Sequence, residues 1–181
     1  MKILKKSRWT YFPQLFKDMG FTIGAEVGVE LGAFSKYLIK DNPKLKLYCI
    51  DFWKSYRMMN GGKSSSRQAD YYEETKKRLA PYNCKLIRAS SMDAVKDFKD
   101  GSLDFVFIDA NHEYKFVKED IREWSKKVRK GGIVSGHDYQ IFPSGNDGVI
   151  RVVDEWIKEN NIDLIVLDDE KRARSWYYIK V

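Results

Sequence analysis

Two cysteines, two histidines and four prolines are all that this 181-residue chain holds of those types, and each scarcity excludes something. Cys49 and Cys84 both fall in apolar stretches that read as strands. The chain therefore reads as a cytoplasmic protein with buried, reduced thiols, not as a disulfide scaffold or a cysteine metal site. No apolar run approaches the roughly 20 residues that a membrane helix needs. Met1 to Trp9 is basic with Ile3 and Leu4 as its main apolar interruption, so it lacks the core of a signal peptide. There is no internal repeat and no linker. At this length one domain over 1–181 is expected, and two of ordinary size are not. What is present is apolar (43%) and aromatic (14%) enough to exclude general disorder.

The net charge is +7, which permits RNA, anionic lipid or an acidic metabolite as partner without establishing one. The basic residues are scattered. Lys76, Lys77 and Arg78, and Lys126, Lys127, Arg129 and Lys130, stand on or beside helical stretches that also carry Glu73, Glu74, Glu119 and Glu123. That mixture reads as solvated helix faces before it reads as a nucleic-acid footprint.

Strand and helix signals alternate. Apolar runs predict strands at Ile23–Val27, Leu45–Ile50, Lys85–Ala89, Phe105–Ile108, Ile133–Ser135, Leu164–Leu167 and Ser175–Val181. Helices are expected over Thr10–Met19 (closed by Gly20), Ser35–Lys40 and Phe116–Val128, the last stopped by Gly131-Gly132. A further helix, capped by Asn146 or Asp147, runs to Glu159. Seven strands with interposed helices imply an α/β fold with a doubly wound sheet covered on both faces. Between the last two strands lie only Asp168 to Arg174, too few for a crossover, so these two form an antiparallel hairpin. Lys54–Ala69, rich in Gly and Ser directly after the second strand, is expected as a lid at the carboxyl edge of the sheet.

Chemistry concentrates at strand ends. After Ile23–Val27 come Gly28 and Gly32, four residues apart, where a strand turns sharply into a helix and the first helical turn offers free N–H groups to a carboxylate. Asp51 closes the second strand, where an acid can accept hydrogen bonds from ribose hydroxyls, and Phe52 beside it could pack on a base. Ser90 and Ser91 follow the third strand, either toward a ligand or as a helix cap. His112 follows the fourth strand in Ile108-Asp109-Ala110-Asn111-His112-Glu113-Tyr114, and His137 follows the fifth in Gly136-His137-Asp138-Tyr139. Adjacent parallel strands end at one cleft, so Asp109, His112, His137 and Asp138 should meet there.

The order Glu26-x-Gly28-x-x-x-Gly32-x-x-Ser35 resembles the nucleotide-binding motif of class I S-adenosylmethionine-dependent methyltransferases. The segments at 108–114 and 130–139 resemble those of the methyltransferase 24-like branch, small-molecule O-methyltransferases similar to metal-dependent sugar and catechol enzymes. This resemblance, covering about Glu26 to Glu155, implies a seven-stranded Rossmann-like sheet with an antiparallel last strand. It also implies S-adenosylmethionine held by Glu26, Gly28, Gly32, Ser35, Asp51, Phe52, Ser90, Ser91 and Asp109. His112 is implied as general base beside Asp109, the alternative being a helix cap or loop brace. Asp109, His137 and Asp138 would hold a divalent cation. The metal relatives more often place an acid where His137 stands, which would favour Mn, Fe, Co or Zn over Mg; His137 could equally serve without metal.

The expected activity is methyl transfer from S-adenosylmethionine to an oxygen of a small-molecule acceptor selected by 54–69 and Phe142–Asn146. The expected setting involves no membrane, and a homo-oligomer is compatible with it. The rivals are an RNA methyltransferase, an NAD-dependent oxidoreductase and a catalytically silent nucleotide-binding module. No Asn-Pro-Pro-Tyr or Asp-Pro-Pro-Tyr motif supports base-amine methylation, and no full Gly-x-Gly-x-x-Gly supports NAD.

Overall fold

A computed structural model describes residues 1–54, 68–169 and 173–181. The expected lid falls largely on 55–67, outside the described residues. In chain order the strands are β1 (Lys2–Leu4), β2 (Ile23–Val27), β3 (Lys46–Asp51), β4 (Cys84–Arg88), β5 (Leu103–Ile108), β6 (Val128–Gly136), β7 (Ile165–Leu167) and β8 (Ser175–Ile179). The helices are α1 (Arg8–Asp18), α2 (Ala33–Ile39), α3 (Gln68–Leu79), α4 (Ser91–Ala94), α5 (Tyr114–Lys127) and α6 (Gly148–Asn160). The strands form one sheet in the order β1-β7-β8-β6-β5-β2-β3-β4. All pairings are parallel except those of β8, which runs against both β6 and β7.

The side-chain alternation of β5 divides the core. Val106 and Ile108 face one layer with Val117, Ile121 and Trp124 of α5 and Val149, Val152 and Val153 of α6. Phe105 and Phe107 face the other, with Phe12 and Phe16 of α1, Phe34 and Leu38 of α2 and Leu79 of α3. A strand buried on both faces needs an unbroken apolar run, and Leu103–Ile108 is buried throughout, Asp104 included. Asp104 is accommodated because its carboxylate accepts hydrogen bonds from the Thr22 and Ile23 amides (2.7 and 3.0 Å) and from Arg129 Nε (2.7 Å). Despite its burial, these partners hold its pKa below the usual carboxylate range.

Two features depart from the sequence reading, and a third decides between two caps it left open. An eighth strand, β1, pairs with β7 at the sheet edge; three residues, two of them lysine or exposed, carry no period that announces a strand. The glycine pair does not stop α5. The helix ends at Lys127 because Val128 is already extended (φ −79, ψ 135) and pairs with Leu103. Gly131 and Gly132 instead lie inside β6, at a register shift where a Cβ on Gly132 would stand 2.4 Å from the Asp104 carbonyl oxygen. At α6, Asp147 occupies the cap position, but it is the Asn146 side chain that accepts the Gly148 amide (2.9 Å).

Candidate active site

The parallel strands β2, β3, β4, β5 and β6 all deliver their carboxyl ends to one edge of the sheet. There lies a cavity of about 900 Å³ lined by Glu26, Gly28, Asp51, Phe52, Ser90, Ser91, Asp109 and His112 among others. Its floor begins at Gly28, whose φ is +89 and where a Cβ would stand 2.1 Å from the Asp109 carbonyl oxygen. Only glycine lets the ends of β2 and β5 approach this closely. The loop after it is braced from three sides. Asp51 accepts the Val29 and Glu30 amides on Oδ2 (2.9 and 2.8 Å) and the Trp53 amide on Oδ1 (2.9 Å). Trp53 Nε1 and Thr75 Oγ1 both donate to the Glu30 carbonyl (2.8 Å each), and the Arg78 guanidinium donates to the Leu31 carbonyl.

Gly32 and Ser35 stand behind the cavity wall. Gly32 (φ +69) precedes α2, and a Cβ there would meet Thr75 Cγ2 at 2.9 Å, so its small size serves the packing of α3. Ser35 is fully buried and donates its hydroxyl to Glu26. Burial is the main reason the Glu26 carboxyl is pushed up from 4.5 to about 8, and the Ser35 hydrogen bond only partly offsets it. Ser90 caps α4, accepting the Asp93 amide at 3.2 Å. The Ser91 hydroxyl contacts Asp120 Oδ1 and accepts Trp124 Nε1–H at 2.8 Å. Asp120 is itself buried, and desolvation raises its pKa to about 6.

The four residues expected to converge after β5 and β6 do so. His112 Nε2 lies 2.8 Å from Asp138 Oδ2 and 3.9 Å from Asp109 Oδ1. His137 Nδ1 lies 3.3 Å from Asp138 Oδ1 and 3.6 Å from Asp109 Oδ1, while its Nε2 reaches the Ala173 carbonyl at 3.1 Å. Asp138 adopts a left-handed conformation (φ +58), rare for a residue with a Cβ, which sets its carboxylate between the two rings. Burial alone would depress the imidazolium pKa values, but the two carboxylates outweigh it: His112 is pushed up to about 9, and His137 is also raised. Burial opposes ionisation of Asp109 as well, but hydrogen bonds to both histidines and the charge of Arg8 hold its pKa far below normal. His112 also stacks on the Phe142 ring (centroids 5.1 Å apart), which brings the loop after β6 to the reaction edge.

Arg8, Trp9 and Asp120 also line the cavity, and nothing in the linear pattern marked them. Arg8 opens α1, about one hundred residues before its partner, and donates from Nη1 to Asp109 Oδ2 at 2.8 Å. Its guanidinium lies 4.8 Å from the centre of the Phe34 ring and 5.0 Å from that of Trp9. Arg78, which reads as part of a solvated helix face, likewise turns to the cavity. Tyr139 is buried, and its hydroxyl donates to Asp154 at 2.6 Å. Cys49 and Cys84 are free thiols in strands. Among the described residues no helix is long and apolar enough to cross a membrane.

Solved methyltransferase structures share this fold. The O-methyltransferase TomG from Streptomyces achromogenes, involved in tomaymycin synthesis and bound to S-adenosylmethionine, superposes with a TM-score of 0.72. It is 17% identical, over 96% of this chain and 80% of that one. An O-methyltransferase from Bacillus cereus in complex with S-adenosylhomocysteine gives 0.67 at 15% identity, covering 98% and 82% of the two chains. An S-adenosylmethionine-dependent methyltransferase from Aquifex aeolicus gives 0.62 at 16%, covering 96% and 92%. At such identities the likeness is one of fold. An uncharacterized protein, y4gI, from Sinorhizobium fredii (strain NBRC 101917 / NGR234) is 23% identical over 130 residues, 68% of this chain. This chain spans only 13% of the length of that curated relative. The family profile described as a methyltransferase domain, methyltransferase 24, matches residues 25–139, from the strand that carries Glu26 to the residue after Asp138. The chain belongs to this methyltransferase family.

Proposed function

We propose that residues 1–181 act as a single domain that transfers a methyl group from S-adenosylmethionine to an oxygen of a small-molecule acceptor. One observation carries this reading. The cavity that begins at the glycine turn and Asp51 is also lined by Asp109 and His112, which pair with His137 and Asp138 behind the wall. A donor seated along it therefore presents its far end to groups able to move a proton. The S-adenosyl ligands named for TomG and the Bacillus cereus enzyme support the choice of donor, and both names support oxygen as the acceptor atom.

In this reading the nucleoside lies across the ends of β3 and β4. Asp51 already accepts three amides, and an ionised carboxylate has about four acceptor positions, so one remains for a ribose hydroxyl. Phe52, about one-third exposed, offers an apolar face to the base. The acceptor oxygen attacks the methyl carbon in line, and the carbon–sulfur bond breaks with its electron pair passing to sulfur. The sulfonium becomes a neutral thioether, and the acceptor proton goes to His112. With Nε2–H donated to Asp138, the Nδ1 lone pair is the one that takes this proton. Asp138 and Asp109 stabilise the imidazolium that results. At neutral pH the donor-free ring already holds a proton, given its pKa of about 9. A sulfonium cation seated beside it would oppose that positive charge and so favour release of the proton to free the Nδ1 lone pair.

The donor set also fits a divalent cation. One ligand atom from each of Asp109, His137 and Asp138 lies within 4.8 Å of the others, and two oxygens with one nitrogen suit Mn, Fe or Zn better than Mg. When bound there, such an ion would polarise the acceptor oxygen and lower its pKa. The test is calorimetric titration with S-adenosylhomocysteine, with and without Mn, and with NAD as control. Saturable binding of the adenosyl ligand alone is expected. Binding of NAD in its place, or of neither by folded protein, would overturn the reading.

A further inference from the structure

Resting on that reading of a cation site, we propose that Arg8 is a built-in competitor of the metal: it holds the outer oxygen of Asp109 and thereby lowers the affinity of the site for a divalent cation.

The placement of the individual oxygens carries this. Each of the two acids has one oxygen engaged on its outer side and turns the other toward His137. Asp138 Oδ2 is held by His112 Nε2 at 2.8 Å, and its Oδ1 lies 3.3 Å from His137 Nδ1. Asp109 Oδ2 is held by Arg8 Nη1 at 2.8 Å, and its Oδ1 lies 3.6 Å from the same His137 Nδ1. The Nε2 of His137 meets the Ala173 carbonyl at 3.1 Å. A carbonyl only accepts, so the neutral ring keeps its proton on Nε2 and turns the Nδ1 lone pair toward the two acids. A cation held by one atom from each of Asp109, His137 and Asp138 therefore takes an Asp109 carboxylate whose far oxygen already carries a guanidinium.

That guanidinium is both permanent and fixed. It does not deprotonate in proteins, so its charge is present at every working pH. The Arg8 side chain is only 15% exposed, and three rings from separate elements surround it. Its guanidinium carbon lies 4.8 Å from the centre of Phe34 on α2, 5.0 Å from Trp9 on α1 and 5.7 Å from Phe107 on β5. Cation–π attraction and the ion pair act together to keep it there. An arriving metal ion thus faces a positive charge across a single carboxylate, in surroundings that screen it poorly. Asp109 can also ligate through one oxygen only. Arg8 in this way compensates the charge of Asp109 when no ion is bound, and it makes the metal an exchangeable ligand instead of a tightly resident one.

The experiment is calorimetric titration of the full chain with manganese chloride at pH 8, where protons compete little with the metal. Wild type, Arg8→Met, Arg8→Gln and Arg8→Lys are compared, with circular dichroism to confirm that each is folded. Methionine keeps an apolar stem against the rings and removes the charge. Glutamine, the second neutral variant, keeps a hydrogen-bond donor for Asp109. Both should bind manganese at least about tenfold more tightly than wild type, the scale of coupling between neighbouring sites. Arg8→Lys, which retains a positive charge, should stay within about threefold of wild type. Adding Asp109→Asn to Arg8→Met should abolish the gain, which locates it at this carboxylate. Neutral variants that bind manganese no better than wild type would overturn the inference while leaving the cation site intact. A gain in Arg8→Lys equal to that in Arg8→Met would overturn it too, since charge would then not be the cause. Absence of manganese binding from wild type and every folded variant would overturn the cation site and this inference with it. S-adenosylhomocysteine titrated into the same samples reports on the donor separately.

Discussion

Replacing Glu26 by glutamine should alter the pH dependence of stability more than stability itself. The carboxyl is almost fully buried at the end of β2, with the Ser35 hydroxyl donated to it, and burial raises its pKa from 4.5 to about 8. Below pH 4.5 both folded and unfolded chains carry it protonated, and its contribution is fully present. As pH rises from 4.5 toward 8 the unfolded chain releases the proton and the folded chain retains it. The folded state then binds more protons, and stability falls with pH. At about 1.4 kcal/mol per pH unit, the interval from 4.5 to about 8 corresponds to a loss on the order of 3–5 kcal/mol. Water reaching the carboxyl through the cavity moves the value toward the lower end. Glutamine keeps the shape and an acceptor for Ser35 but cannot ionise. Urea unfolding of wild type and Glu26→Gln at pH 5, 6, 7 and 8 isolates the effect, because the other groups that titrate in this window are shared and cancel in the difference. The wild-type free energy should fall relative to the variant by at least about 2 kcal/mol between pH 5 and 8. Two curves parallel to within about 0.5 kcal/mol would refute a buried neutral carboxyl at this position.

Gly28→Ala places a Cβ against the Asp109 carbonyl and forces a side chain into φ +89. Thermal and urea unfolding should show a loss of more than about 3 kcal/mol, with adenosyl binding lost in any fraction that folds. Asp104→Asn should cost about 1–3 kcal/mol at pH 7 by weakening the contacts to Thr22, Ile23 and Arg129. Because the folded pKa of Asp104 lies below normal, the deficit should shrink as pH falls through the acidic range, which acid titration followed by circular dichroism would check. His112→Ala should lower single-turnover methyl transfer by about 10²–10⁴-fold while changing S-adenosylhomocysteine affinity by less than about threefold. A large loss of that affinity would place His112 in donor binding.

Much of the frame was legible because it is written in local periods. Apolar runs at 23–27, 105–108 and 133–135 mark strands buried on both faces, and an interval of seven residues before Ser175 can only turn back. The convergence of Asp109, His112, His137 and Asp138 followed from one rule, that neighbouring parallel strands end at the same edge. Side chains whose partners lie far along the chain were not legible. Arg8 reads as one more basic residue near the start until α1 packs on Phe105 and Phe107 of β5 and sets it on Asp109, 101 residues away. Gly131-Gly132 looks like a helix stop because the local signal is the same for a stop and for a strand that must pass close to a carbonyl.

The sequence by itself therefore determined the α/β class, the edge where ligands enter and the identity of the acids and imidazoles collected there. These depend on backbone preferences and alternation over a few residues. Tertiary structure alone decided what each group is able to do. Burial keeps Glu26 neutral, and Arg8 and two imidazoles keep Asp109 charged. Trp124 and Asp120 settle which way Ser91 points its hydrogen. Protonation and hydrogen-bond direction depend on distance and dielectric across the sheet, and no spacing along the chain encodes either.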